Sequence, residues 1–437
     1  MLLAYQDGRV GHRQLPGEKV TDSSKIEPER AGHTTATPRM ARTQSQYRWA
    51  VFNQSQSPDF QRMIERLSEE LGPCLLFTGM PFPVEHGQVV TEAGPKYDRR
   101  AVPRRAWTWF AFAIASFLRG MRLSHSVFFF AVTNPPILPE IAWLLHKLKG
   151  NAYGLLIWDI YPDHMVKLGW ISETGPVAGL WNRLNRRVLL DARVVITLGE
   201  SMAEALRAQV GRTPTRFRIQ VIPNWADTDL LQPMCKAENP FAAQYDQIDK
   251  VTVLYSGNMG HTHGLEMIVE AAKALEKDSR VLFLLIGDGL GRRQIEEKVT
   301  ALGLGNVRLL PRQPWNVLPY SLATGDIAVV TQAPGSEHLS IPSKVYSMMA
   351  AGCALVACTH EESDLAHLVQ ANEVGVVCPH GDAHALAEAI SMLAGNDTVL
   401  SGYRTRARKL AVERYSPGAV FPHFCDVLVP AMSNVGG

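Results

Sequence analysis

Three short stretches of this 437-residue chain carry side chains and backbone that could do chemistry together. In the first, a run of apolar and β-branched residues (251–255) gives way to Ser256-Gly257-Asn258-Met259-Gly260, and Gly264 then opens an amphipathic helical pattern. Glycine lets backbone approach a ligand closely, and the unpaired N–H groups and dipole of a helix start attract an anion. A phosphate suits such a turn. In the second, the polar loop holding Glu337 follows the strand-like run 326–332 and leads into Pro342-Ser343-Lys344, where proline and serine mark a helix start. A lysine in a first helical turn opposes the dipole unless an anion shares the site. In the third, Asp159, Tyr161, Asp163 and His164 follow a buried strand, and carboxylate and imidazole are the groups that orient a hydroxyl or move its proton. Each has a plainer reading beside it. Lys344 could be a surface lysine, Asp159 and His164 solvated loop residues, and His261 and His263 solvated loop histidines. Two histidines at i and i+2 with no neighbouring cysteine or carboxylate do not complete a tetrahedral metal site.

The elements that must position these residues alternate strand with helix from residue 48 onward, which implies parallel sheets covered on both faces. Ligands of such sheets bind beyond the carboxyl ends of the strands. The pattern divides into a disordered N-terminal extension (1–45), a Rossmann-like domain (46–230), a linker (231–250), a second Rossmann-like domain (251–410) and a helical tail (411–437). Residues 1–39 lack hydrophobic period and cannot offset their ordering entropy. Residues 81–103 read as a loop. The fold class is α/β, with two doubly wound domains facing a cleft, where small-molecule sites prefer to lie.

Charge and cysteine content narrow the class. Forty-four basic residues against 42 acidic ones leave no global field for nucleic acid. Six scattered cysteines without a CxxC suit a reducing cytoplasm, and the start of the chain has no apolar core of a secretory signal. Residues 106–118 form 13 uncharged positions between Arg99, Arg100, Arg104 and Arg105 on one side and Arg119 and Arg122 on the other. At ~1.5 Å per residue such a run covers roughly 20 Å, short of a ~30 Å hydrocarbon core. Trp107, Phe110, Ala111, Ile114, Phe117 and Leu118 share one helical face. That face is either packed in the core, with arginines snorkelling, or laid on an anionic membrane surface.

The motifs VIPN (221–224), SGNMGHTHGL (256–265), LIGDG (285–289), PSKVYSMMAAG (342–352) and ERYS (413–416), with TNPP (133–136) and DIYPD (159–163), carry a resemblance over about residues 47–430. The chain resembles bacterial family-four glycosyltransferases of GT-B fold, in the subgroup that builds O-antigen, capsule and exopolysaccharide. The resemblance implies a nucleotide-sugar donor, with UDP or GDP as leaving group, in the C-terminal domain. It implies a polyprenyl-diphosphate-linked or other glycan acceptor in the N-terminal one. It also implies retention of anomeric configuration, no metal and no other cofactor, and work at the inner face of the cytoplasmic membrane. Gly257, Asn258, Gly260 and Lys344 then hold the diphosphate, His263 and Ser343 complete the donor side, Asp288 and Arg312 border the base, and Asp159 and His164 serve the acceptor. Two departures bear on the site. Asn258 and His263 stand where many relatives have Arg and Lys, and the relatives' two glutamates fall near Leu339 and Ser347, leaving Glu337 as the nearest acid for the sugar hydroxyls. A non-catalytic nucleotide-binding subunit is the alternative that the missing glutamates raise. A nicotinamide oxidoreductase would need an acid about 20 residues after the glycines, where Lys277 and Asp278 close a helix instead.

Overall fold

The computed structural model describes residues 46–98, 102–211, 218–260, 264–339 and 341–433. The extension 1–45, His261 and His263 lie outside the described residues. Seven parallel strands form the first sheet: β1 (Trp49–Phe52), β2 (Cys74–Thr78), β3 (Val89–Ala93), β4 (Phe128–Val132), β5 (Tyr153–Ile157), β6 (Val194–Thr197) and β7 (Ile219–Val221), in the order β3-β2-β1-β4-β5-β6-β7. Six form the second: β8 (Val251–Ser256), β9 (Val281–Ile286), β10 (Val307–Leu310), β11 (Ile327–Thr331), β12 (Ala354–Cys358) and β13 (Gly375–Cys378), in the order β10-β9-β8-β11-β12-β13. Trp49 pairs with Cys74 on one side and Phe128 on the other, so strand order reverses between β1 and β4, as it does between β8 and β11. Crevices at such reversals are where open α/β sheets take ligands.

Local chemistry sets the elements. The central strands are apolar at nearly every position because helices cover both faces. The helix Pro58–Leu71 starts where the Ser57 hydroxyl accepts from Phe60 N at 3.2 Å, with Pro58 in its first turn. β3 falls in the stretch that the sequence marks as loop. It is an edge strand in which only Val89 is fully buried, so it lacks the apolar run that announces a central strand.

The basic-flanked segment is the helix Val102–Met121, and its aromatic face is turned outward. Phe112, Ala113, Ser116 and Gly120 form the buried side, and a Cβ on Gly120 would come within 2.4 Å of Leu145 in the helix Leu138–Lys149. Small residues therefore seat the helix, while Trp107 (68% exposed), Phe110 (52%), Ile114 and Leu118 (50%) face away from the core.

The chain crosses between the domains twice. After the helix Asp397–Arg414, Tyr415 O accepts from Ala226 N at 2.9 Å, tying the two crossings together. The helix Pro417–Ser433 then returns to the first domain, where Phe421, Phe424 and Leu428 join its apolar core and Trp225 meets Phe421 edge-on at 5.1 Å.

Candidate functional site

Two glycine turns and a buried lysine meet beyond the carboxyl ends of β8, β9 and β11, the ground of a candidate pocket. Gly257 has φ +156°, a conformation that favours glycine, and a Cβ there would lie 3.1 Å from Lys344 Nζ, so the turn and the lysine pack closely. Gly287 packs against Gly257, where a Cβ would fall 1.9 Å from Gly257 O. Asp288 knits the turns together. Its backbone carbonyl accepts from Met259 N at 2.9 Å, and its carboxylate accepts from Arg312 N at 3.2 Å and lies 3.8 Å from the Arg292 guanidinium. Asp288 thus ties the turn after β8 to the segment after β10, and Asn258 stands exposed, its carbonyl held by the Tyr255 hydroxyl at 2.6 Å.

Lys344 is the first residue of the helix Lys344–Ala350. It is 9% exposed, its Nζ has no hydrogen-bond partner, and it rests 3.9 Å from the centre of the Tyr255 ring. Burial pulls its pKa down to about 7. A buried ammonium without a counter-charge is costly, and an anion in the pocket would restore its proton. Ser343 precedes it without capping the helix through its side chain. Gly260 lies at the edge of the described loop, beside Gly291, whose Cβ would approach it at 3.4 Å.

Facing this pocket, β5 delivers the third stretch. Trp158 N donates to Thr133 Oγ1 at 2.9 Å and fixes the strand end, after which the helix Asp163–Lys167 turns back across the cleft. His164 meets the Tyr161 ring edge-on at 5.6 Å. Burial lowers the His164 pKa, and the Asp159 carboxylate opposes that shift, so the two residues do share one environment. Tyr161 stacks on Trp181 at 6.4 Å and its carbonyl accepts from Asn185 Nδ2 at 2.6 Å. The cavity beside Asp159, Tyr161 and Asn185 has a volume of about 30 Å³. That is room for roughly two water molecules and too little for a sugar ring.

The domains touch around this cleft. Ile160 N donates to Leu339 O at 3.2 Å, and Ser201 N, in the first turn of the helix Glu200–Val210, donates to the Asp364 carboxylate at 3.1 Å. Glu337 is 8% exposed and interacts electrostatically with Lys167 from the first domain and with His380 after β13. Lys167, Tyr255, Asp364 and His380 escape a reading based on motifs. The rule that the carboxyl ends of strands meet ligands would have flagged His380, two residues beyond β13. Among the described residues, no cluster of three His, Cys, Asp or Glu side chains could hold a metal ion.

Comparison with known proteins follows the same division. Residues 250–396, the second sheet and its helices, match the family model described as glycosyl transferases group 1. The chain is 27% identical over 302 residues to the probable glycosyltransferase WbjE of Pseudomonas aeruginosa, covering 69% of this chain and 74% of that protein. It is 30% identical over 271 residues to WcaI of Escherichia coli strain K12, a glycosyl transferase assigned to colanic acid biosynthesis, covering 60% and 66%. Among solved structures, Anabaena HepE in complex with UDP and glucose superposes with a TM-score of 0.65 at 15% identity, over 88% of this chain and 99% of that one. The lipopolysaccharide glycosyltransferase WaaG superposes with a TM-score of 0.63 at 14% identity, over 89% and 98%.

Proposed function

We propose, on the premise that this chain belongs to the group 1 glycosyltransferases and has the GT-B fold, that it moves a sugar with retention from a nucleoside diphosphate donor to a lipid-linked saccharide in the building of a cell-surface polysaccharide. The observation that carries this reading is Lys344, a buried ammonium without a partner, set between Gly257 and the Tyr255 ring. Charge grows on a diphosphate as the glycosidic bond breaks, and a pre-aimed cation in a water-poor pocket stabilises that change more than it tightens ground-state binding. UDP is the favoured nucleotide, since HepE is described with UDP and glucose, and GDP is the other choice. WbjE and WcaI lend the polysaccharide context.

In this reading the acceptor hydroxyl attacks the sugar C1 on the face that the diphosphate leaves. The C1–O bond to phosphate breaks, and the hydroxyl proton passes to the departing phosphate oxygen. Asp159 and His164, across the cleft, orient the acceptor. The outward face of the helix Val102–Met121 supports a peripheral seat on anionic membrane: Trp107, Phe110, Ile114 and Leu118 offer apolar area, and Arg104 and Arg122 stand exposed at its ends. Among the described residues, no helix is long and apolar enough to cross a membrane. Six cysteines without a disulfide, Cys235 exposed among them, fit a reducing compartment on the inner face.

The test is thermal melting against UDP, GDP, ADP and dTDP, because a ligand at ~100 times its dissociation constant adds about 2.7 kcal/mol to the folded state. A shift with one nucleotide fixes the donor class. No shift with any of the four at millimolar concentration would bring the non-catalytic reading to the front. Asp159→Asn is expected to keep the donor-induced shift while losing sugar transfer, and transfer at the wild-type rate would remove Asp159 from the acceptor site.

A further inference from the structure

His380 follows β13 in a loop that none of the motifs includes, yet it packs against Gly264, at the far end of the glycine turn whose start, Gly257, meets Lys344. Its Nε2 is shielded from solvent and has no hydrogen-bond partner among the described residues. It packs over the start of the helix Leu265–Ala274, where a Cβ on Gly264 would approach Nε2 to 2.7 Å; Gly264 has φ +62° and carries no side chain to fill that space. Its charged neighbours are Glu337, on the loop after β11, and Lys167, from the helix Asp163–Lys167 of the other domain. Lys167 Nζ in turn lies where it would touch a Cβ on Gly335 at 2.7 Å, so the first domain reaches over the donor loop.

This arrangement gives the pocket two ends. Lys344 sits at its floor, beside Gly257 at the start of the 257–264 loop. His380 sits at the other end of the same loop, next to the groups that come from the acceptor side. A buried polar nitrogen is ordinarily hydrogen-bonded, so one left open asks for a partner. We propose that His380 is a donor-binding residue whose Nε2–H donates to the phosphate that carries the sugar, at the acceptor-facing end of the site. This rests on the nucleoside diphosphate reading given above. Glu337 and Lys167 flank the contact: the carboxylate favours the imidazolium, and the ammonium adds positive charge to the end of the site where the bond breaks. Burial lowers the His380 pKa, with Glu337 opposing and Lys167 adding to that effect. A phosphate at Nε2 would pull the proton back.

The test compares UDP with UMP by titration calorimetry on the full chain, in wild type, His380→Ala, His380→Gln and Lys344→Met. A hydrogen bond to a charged group predicts that His380→Ala weakens UDP by about 10-fold or more and leaves UMP unchanged, since UMP lacks the second phosphate. His380→Gln, which keeps an N–H donor, recovers part of the loss, and the imidazole ¹⁵N signal assigned by its absence in that variant shifts when UDP is added to wild type. Melting of the ligand-free variants separates binding from folding. If His380→Ala binds UDP as wild type does while Lys344→Met fails to, His380 is not in the site and the donor reading stands. If wild type binds no nucleotide, both fall.

Discussion

Replacing Lys344 by methionine should make the ligand-free protein more stable and useless for nucleotide binding. The fall of the Lys344 pKa from 10.5 to about 7, at ~1.36 kcal/mol per pH unit, corresponds to ~5 kcal/mol of unfavourable ammonium burial. The Tyr255 ring under the ammonium, at 3.9 Å, offsets one to two of these, since a desolvated cation–π contact contributes ~1–2 kcal/mol. About 3 kcal/mol remains. The sign follows from proton binding: between pH 7 and 10.5 the unfolded chain holds a proton that the empty folded pocket has released, so stability rises with pH across that window. Below pH 7 the whole cost is present. Lys344→Met, of similar length and uncharged, removes it, and the second domain should melt roughly 6–12 °C higher than wild type at pH 6.5. The gap should close as pH approaches 10.5. Differential scanning calorimetry with and without millimolar UDP or GDP gives both readouts, because wild type should gain stability from nucleotide and the variant should not. A variant that melts no higher than wild type at pH 6.5, or that keeps the nucleotide shift, would refute the reasoning.

Glu140 poses the mirror case in the first domain. Burial raises its pKa to about 7, although Trp181 Nε1 donates to its Oε1 at 2.5 Å, and its other oxygen has no partner. A raised carboxyl pKa means that its contribution to stability is full below about pH 4.5 and is lost as pH climbs through 7. Glu140→Gln should therefore stabilise the protein by about 3 kcal/mol at pH 8 and by nothing at pH 4.5; equal melting temperatures at pH 8 would count against a buried carboxylate there. For membrane contact, Trp107→Glu with Phe110→Glu should cut co-sedimentation with phosphatidylglycerol vesicles more than 10-fold, since burying each ring contributes about 1.5–3 kcal/mol. Unchanged sedimentation, or equal binding to neutral phosphatidylcholine, would take the helix Val102–Met121 off the membrane.

The place of Lys344 at the start of a helix was legible in the sequence, because a proline and a serine after a buried strand mark such a start. The order of strands and helices was legible for a similar reason, since parallel strands covered on both faces are apolar end to end. Periodicity gave the aromatic face of the Val102–Met121 helix but not its direction. That was decided by Gly120 and Ser116, whose small size lets the helix seat against Leu145 on the opposite side. His380 stands two residues beyond β13, where the strand-end rule points, but its contact with Gly264, more than a hundred residues away, is set only by the fold. Asp364 was hidden likewise: in sequence it is the first residue of the helix Asp364–Ala371, and only the fold brings it to the amide of Ser201.

The return of the helix Pro417–Ser433 to the first domain has a consequence for biosynthesis. Val420, Phe421, Phe424, Leu428 and Met432 belong to a core most of whose other members lie between Trp49 and Ile222 and are made well before them. While the ribosome is still translating the second domain, the first has its sheet but lacks this apolar lid, and the surface beneath it is open to solvent. Domains ordinarily fold in the order in which they are synthesised. Here the earlier one must wait for the later one, and the nascent chain presents an apolar groove to chaperones while the second domain is being made.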